Sequence, residues 1–214
     1  MPTGESLFAF EGVCLVTDGQ PRLADVDLTV ADRAITVIVG ASGSGKSSLL
    51  RLGNRLEAPT RGIVRFRGED LAGIDIHAHR RRVGMLFQRP IPFAGTVRQN
   101  LQVAAPDLSD AEATALLERV TLAGSFLDRP ADRLSGGEAQ RMCLARSLAT
   151  GPEVLLADEA TSSLDPDATR RLEELAVSLR DDGITVLWVT QEHEQIDRIA
   201  DHAVRVTAGR VSTA

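Results

Sequence analysis

The sequence predicts an α/β fold: a mainly parallel sheet flanked by helices, an antiparallel β subdomain at the N-terminus, and a small helical subdomain. Three observations carry this. From Ala34 onward, apolar β-branched runs alternate with helical patterns. Two strand patterns open the chain with no helix between them. From Gly95 to Arg133 the pattern is helical, with no strand. At 214 residues the chain is read as one domain, 1–214, with the helical part inserted at roughly 89–145.

Composition narrows the function. Hydrophobic residues make up 43% and charged residues 25%, enough for a buried core in a globular protein. The net charge of −6 opposes nucleic acid as the main partner. The locally basic run His77-Ala78-His79-Arg80-Arg81-Arg82 reads as a solvated helix face. Cys14 and Cys143 cannot build a disulfide framework, so a reducing compartment is expected. No apolar run approaches the ~20 residues that span a bilayer. Met1 to Ser6 has neither a basic nor an apolar signal region, so no signal peptide is expected. Direct membrane insertion is therefore not expected, and a membrane role would come through a partner.

Taken in order, Leu7–Val16 and Ala24–Val30 read as strands, joined by turn residues Thr17-Asp18-Gly19-Gln20-Pro21. Ala34–Val39 is a short apolar run and predicts a buried strand. It leads into Gly40-Ala41-Ser42-Gly43-Ser44-Gly45-Lys46-Ser47, which fits G-x-x-x-x-G-K-[ST] at every fixed position. Ser48-Leu49-Leu50-Arg51-Leu52 then opens a helix. Glycines let the backbone approach phosphates closely, and loop amides with the positive helix end face the anion. Lys46 is placed at the β- and γ-phosphates and the Ser47 hydroxyl at Mg²⁺, with Ser48 next in the phosphate contacts. Lys46 is the sole lysine among 24 basic residues, a compact point charge in a chain that otherwise uses arginine.

Beyond this helix, Ile63–Gly68 alternates as a half-exposed strand and Val83–Phe87 is an apolar one ending at Gln88. Arg89 to Gly95 is loop, since Pro90 and Pro92 exclude a helix; its apolar Ile91 and Phe93 have no obvious place in a core, which fits either a loop packed on its own domain or a docking surface. Ser109 and Glu112 form a capping box for a helix over Ala111–Val120. A second box, Ser135 and Glu138, opens a helix over Ala139–Ala149. Helix initiation does not call for Gly136-Gly137, which cost about 1 kcal/mol each. They suit close approach of an anion.

Glu153–Ala157 is a buried strand running into Asp158-Glu159. Two carboxylates at such a strand end are costly without a cation or a proton to handle. Beside a phosphate loop, Asp158 is read as a Mg²⁺ residue and Glu159 as the group that polarises the attacking water. Asp165-Pro166 caps a helix to Arg180. Ile184–Thr190 is the next strand, with Gln191, Glu192 and His193 at its end, and His202–Val211 holds one or two short strands.

With the phosphate loop, Gln88, Leu134-Ser135-Gly136-Gly137-Glu138 and Leu155-Leu156-Ala157-Asp158-Glu159 in this order, the chain resembles the ATP-binding subunit of ABC (ATP-binding cassette) transporters. The resemblance runs over nearly the full length and is strongest to small single-domain bacterial members, phosphate-import-like or metal-export-like. It implies a P-loop NTPase core and a head-to-tail homodimer closing on two ATP molecules. Ser135, Gly136 and Gly137 of one copy would meet the γ-phosphate held by the other. It further implies that Gln88 touches Mg²⁺ and the attacking water, that Ser163-Leu164-Asp165 crosses the dimer interface, and that a membrane subunit docks near Gln88–Phe93. The expected location is cytoplasmic, on the inner face of the cell membrane.

Two positions depart from that pattern. Gln191 stands where the family usually has a histidine, and can donate an amide hydrogen bond but carry no imidazolium charge. With Lys46 and Glu159 it is a candidate catalytic residue, and slower turnover is expected. The region Leu15-Val16-Thr17 offers no aromatic ring for adenine, so looser base selection is expected. Three functions compete: a transport-coupled ATPase, an ATP-gated dimerising switch of low turnover on a non-transport partner, and a nucleic-acid ATPase. The intact motifs favour the first, Gln191 lends weight to the second, and the acidic balance opposes the third.

Overall fold

A computed structural model describes residues 6–213. The expectation of no signal peptide falls mainly on residues 1–5, outside that range. The elements are β1 (Ser6–Thr17), β2 (Gln20–Ala31), β3 (Ile35–Val39), α1 (Lys46–Gly53), β4 (Arg61–Phe66), β5 (Glu69–Asp70), α2 (Ile76–Arg82), β6 (Val83–Leu86), α3 (Val97–Ala104), α4 (Asp110–Arg119), α5 (Gly136–Leu148), β7 (Val154–Asp158), α6 (Pro166–Asp181), β8 (Thr185–Thr190), α7 (Glu194–Ile199), β9 (His202–Thr207) and β10 (Arg210–Thr213).

Six strands form one sheet in the order β10-β9-β3-β8-β7-β6, parallel except for the β9–β10 pair. A second, antiparallel sheet runs β2-β1-β4-β5. The central strands β3, β7 and β8 are buried along their whole length. Their residues divide by parity. Val37, Leu155 and Trp188 face a core shared with α3 to α6, whereas Ile38, Leu156 and Leu187 face the antiparallel sheet and α1. A parallel sheet covered on both faces has no solvent side, so its strands read as continuous apolar runs.

Helix α1 contributes Leu49, Leu50 and Leu52 to the second core. Each leucine fully buried in this way contributes about 1.5–3 kcal/mol. This packing fixes the start of α1 at the C-terminal end of β3.

Three details depart from the expectations. The β1–β2 turn is shorter than Thr17–Pro21. Asp18 and Gly19 alone make it, both at positive φ (52° and 73°) as a two-residue hairpin requires, and Pro21 lies in edge strand β2. The basic run forms α2, but not as a wholly solvated face: His79 is fully buried, with Nε2 2.8 Å from the Gly53 carbonyl oxygen and its ring edge-on to Phe66. Strand β5 and helix α7 have no counterpart among the expected elements. They are two and six residues long, too short for a periodic signal.

Candidate functional site

The loop between β3 and α1 is shaped by glycine. Gly45 has φ 110°, and a Cβ there would lie 2.6 Å from the Arg22 carbonyl oxygen. A Cβ on Gly40 would lie 2.3 Å from the Val206 carbonyl oxygen. The loop therefore presses against β2 and β9, and only glycine permits both its dihedrals and that approach. No side chain caps the start of α1. Its first-turn amides are left for an anion, and the helix dipole adds to the attraction.

Lys46 is nearly inaccessible. Its Nζ donates to the carbonyl oxygens of Gly40 (2.8 Å) and Ala41 (2.9 Å) and lies 3.4 Å from Glu159 Oε1. The Ser47 hydroxyl donates to Asp158 Oδ1 at 2.6 Å, and Arg51 Nη2 is 3.8 Å from Asp158 Oδ2. Asp158 ends β7 and is only 5% exposed.

Glu159 follows in the left-handed region at φ 48°, unusual for a residue with a side chain. Its amide donates to the Val189 carbonyl at 3.1 Å, which holds this turn against β8. Gln191, just past β8, donates Nε2 to both Glu159 carboxylate oxygens at 3.0 Å. Gln88 Nε2 donates to Ser162 Oγ at 3.2 Å, so the loop after β6 meets the loop after β7.

Lys46, Ser47, Gln88, Glu159 and Gln191 line a cleft of about 450 Å³ with Ser42, Gly43, Gly45 and Ser48, and Asp158 lies just behind Ser47. The donors suit Mg²⁺. The Ser47 hydroxyl and the Asp158 carboxylate are hard oxygen ligands at one spot, and Mg²⁺ is held by one or two such groups plus phosphate oxygens. Among the described residues, no group of three or more His, Cys, Asp or Glu forms a closed metal cage. The cleft thus offers an anion cradle, one buried ammonium, a hard-cation seat, and a carboxylate held near them.

Arg22, Arg51 and Glu57 line the same cleft and were not among the expected site residues; Thr17, from the region read against adenine, lines it too. Arg51 was within reach of sequence reasoning, because it lies four residues after Ser47 on the same helix face. Thr17 and Arg22 arrive by folding of the β1–β2 hairpin over the loop, which no local pattern encodes. His193 does not line the cleft; it is exposed at the start of α7.

Ser135, Gly136 and Gly137 lie elsewhere. Ser135 caps α5, and its amide holds the Glu138 carboxyl below the usual carboxylate range. Ser135 and Gly136 are exposed, and none of the three lines the cleft. A Cβ on Gly137 would be in contact with Ala168 of α6 at 3.6 Å, so α5 and α6 begin side by side. Farther along α5, Gln140 donates to the Phe87 carbonyl at 2.9 Å, next to Gln88.

The proline loop leaves Ile91 56% and Phe93 45% exposed, with Phe87 and Val103 also exposed nearby. The loop is nevertheless fixed. Buried Asn100 bonds both the amide and the carbonyl of Phe93, and the Arg146 guanidinium lies 4.2 Å from the Phe93 ring centroid.

A family model described as "ABC transporter" matches residues 23–162. The chain is 46% identical to Protein STAR1 of Oryza sativa subsp. japonica over 198 residues, covering 90% of this chain and 57% of that protein. It is 39% identical to the phosphate import ATP-binding protein PstB of Pyrobaculum aerophilum, covering 88% and 82%. Among solved structures it is similar to cbiO1 from Clostridium perfringens, part of the ABC transporter complex cbiONQ. The TM-score is 0.88 at 26% identity, covering 97% of this chain and 87% of that one. The chain thus spans little more than half the length of the rice protein it matches.

Proposed function

This chain belongs to the ABC transporter family, and we propose that it is the ATP-binding and ATP-hydrolysing motor subunit of such a transporter. The observation that carries this is the convergence of Lys46, Ser47 and Glu159 on one cleft beside an uncapped helix start, with Asp158 bonded to Ser47 directly behind it. Lys46 and the loop amides bind the β- and γ-phosphates. The Ser47 hydroxyl and Asp158 would hold Mg²⁺, assisted by Gln88, and the bound ion would supply positive charge to the phosphate oxygens. Glu159 orients and deprotonates the attacking water, while Gln191 holds its carboxylate in position.

The site is completed by a second copy, head to tail. Ser135 and Gly136 are exposed and Gly137 is half-buried at the start of α5, all outside their own cleft, so this turn is free to cover the γ-phosphate on a partner. A symmetric pair closes two equivalent sites. The apolar residues Phe87, Ile91 and Phe93, adjoining Gln88, receive a separate membrane subunit. No helix among the described residues is long and apolar enough to cross a membrane. The motor therefore sits on the inner face of the membrane through that subunit.

A second reading has its own observation. Gln191 occupies both oxygens of Glu159 and carries no charge, which suits an ATP-gated dimerising switch of low turnover. One experiment separates the two: Mg²⁺-ATP hydrolysis by the purified chain against protein concentration, beside Glu159→Gln. The motor reading expects specific activity to rise with concentration and to fall by about a hundred-fold or more in the variant. ATP binding with no Glu159-dependent turnover at any concentration favours the switch.

A further inference from the structure

A buried polar cluster lies behind the cleft and belongs to none of the roles assigned so far. Its centre is Gln195 on α7, fully inaccessible to solvent. The Gln195 amide oxygen accepts from Trp188 Nε1 at 2.9 Å. Its nitrogen donates to Thr161 Oγ1 at 3.1 Å and to Glu173 Oε1 at 2.8 Å. Glu173, 3% exposed on α6, in turn accepts two hydrogen bonds from Arg198, each at 2.8 Å.

The orientation of the amide follows from its neighbours. An indole N–H only donates, and an ionised carboxylate only accepts, so the oxygen of Gln195 faces Trp188 and the nitrogen faces Glu173. Both amide protons are used. With the Gln195 amide and the Trp188 indole N–H all bonded, the buried cluster is rigid, and loss of one member strands the others without water.

The cluster joins three segments that the chemistry needs in register. Trp188 lies on β8, three residues before Gln191. Gln195 begins four residues after Gln191. Thr161 lies two residues past Glu159, in the loop that also carries Ser162, the partner of Gln88. The Thr161 carbonyl accepts from the Leu164 amide at 3.0 Å, so the same residue shapes the loop leading into α6.

We infer that Gln195 is a positioning residue for hydrolysis: through Thr161 it fixes the loop bearing Glu159 relative to the segment bearing Gln191. Glu173 and Arg198 form the anchor that ties this hub to α6 and α7. The Glu159–Gln191 pair is then placed by a buried amide on the far side of the loop, not by the cleft alone. The inference rests on the ATPase reading for its kinetic consequence, though the geometric claim does not need turnover.

Two isosteric tests address it. Thr161→Val removes only the hydroxyl that Gln195 holds, while Thr161→Ser keeps it. Gln195→Met fills the volume without the amide. The expected result is a kcat lower by about ten-fold or more in Thr161→Val and Gln195→Met, with apparent ATP affinity within about two-fold of the parent. Thr161→Ser should retain most of the parental kcat. Amide hydrogen exchange over residues 159–165 should speed up in the first two variants and not in the third. Trp188, the sole tryptophan, reports the cluster directly, and its emission should shift in Gln195→Met.

Parental kcat in Thr161→Val would overturn the inference, as would equal losses in Thr161→Val and Thr161→Ser. If Gln195→Met does not fold, the Thr161 pair decides. If the parent itself shows no Glu159-dependent turnover, the ATPase reading fails, and exchange over 159–165 in Thr161→Val still decides this one. Unchanged exchange there would overturn it.

Discussion

On the proposed ATPase reading, Gln191 is the residue that tunes how Glu159 acts. Its amide spans both oxygens of Glu159, so the carboxylate is held in place while two of its lone pairs are occupied. A histidine there would orient the same carboxylate and could also bring positive charge to a phosphate. Gln191→His should raise kcat by about ten-fold with little change in ATP affinity. An unchanged or lower kcat in steady-state assays would contradict this. Base selection is a second matter of single residues. Among the described residues, no aromatic side chain lines the cleft, and Thr17 and Arg22 form its wall on the β1–β2 hairpin. Neither is a flat apolar surface fitted to adenine. Competition titration should give ATP and GTP dissociation constants within about ten-fold of each other. An ATP preference of orders of magnitude would refute that.

Among the elements, α2 shows how a short basic helix is docked. Three arginines follow His79, and two of them are tied down: Arg80 bonds the carbonyls of Asn54 and Arg55, and Arg82 bonds Glu153. His79 itself is inserted between the end of α1 and Phe66. Burial is the main cause that pushes its imidazole below the ordinary value, and the Gly53 carbonyl offsets this only in part. Neighbouring Arg82, Arg55 and Arg80 push in the same direction as burial. Because the folded value lies below the unfolded one, the unfolded chain takes up the proton first. The stability that neutral His79 provides is therefore complete above about pH 6.5 and is lost as pH falls through that value toward the folded one. Thermal melts should show Tm falling between pH 7.5 and 5.5 in the parent and falling less in His79→Gln. The other three histidines are exposed, and the Glu153 carboxyl, held down by Arg82, titrates below this window. Parallel Tm profiles for parent and variant would rule the mechanism out.

For the whole molecule, the decisive feature is the separation of Ser135–Gly137 from the cleft within one chain. A head-to-tail pair then has a specific arithmetic. Glu159→Gln destroys the cleft a copy carries but leaves its α5 start intact, and Ser135→Arg does the reverse. In a mixed pair, one site combines both lesions and the other has neither. Each variant alone should be inactive, while a mixture at high concentration should recover about a quarter of parental activity, since half the pairs are mixed and each has one intact site. No recovery, with both variants folded and binding ATP, would exclude the shared-site dimer.

Sequence by itself determined the buried strands, the capped helices and the phosphate loop, because each is written in local chemistry. A β-branched run with both faces covered, a serine three residues before a glutamate, and glycines where a backbone must bend are all read without neighbours. It also placed Asp158 and Glu159 at a strand end, where charge needs a reason. Tertiary structure alone decided what those residues meet. It brought Thr17 and Arg22 to the cleft, set Gln191 on both oxygens of Glu159, buried one histidine of a basic run, and joined Gln195 to Thr161 across 34 positions of sequence. Such contacts depend on how the two sheets and α1 close on each other. The physical reason is range: local patterns encode dihedral preference and the face a residue shows, whereas a polar side chain's partner is fixed only by packing.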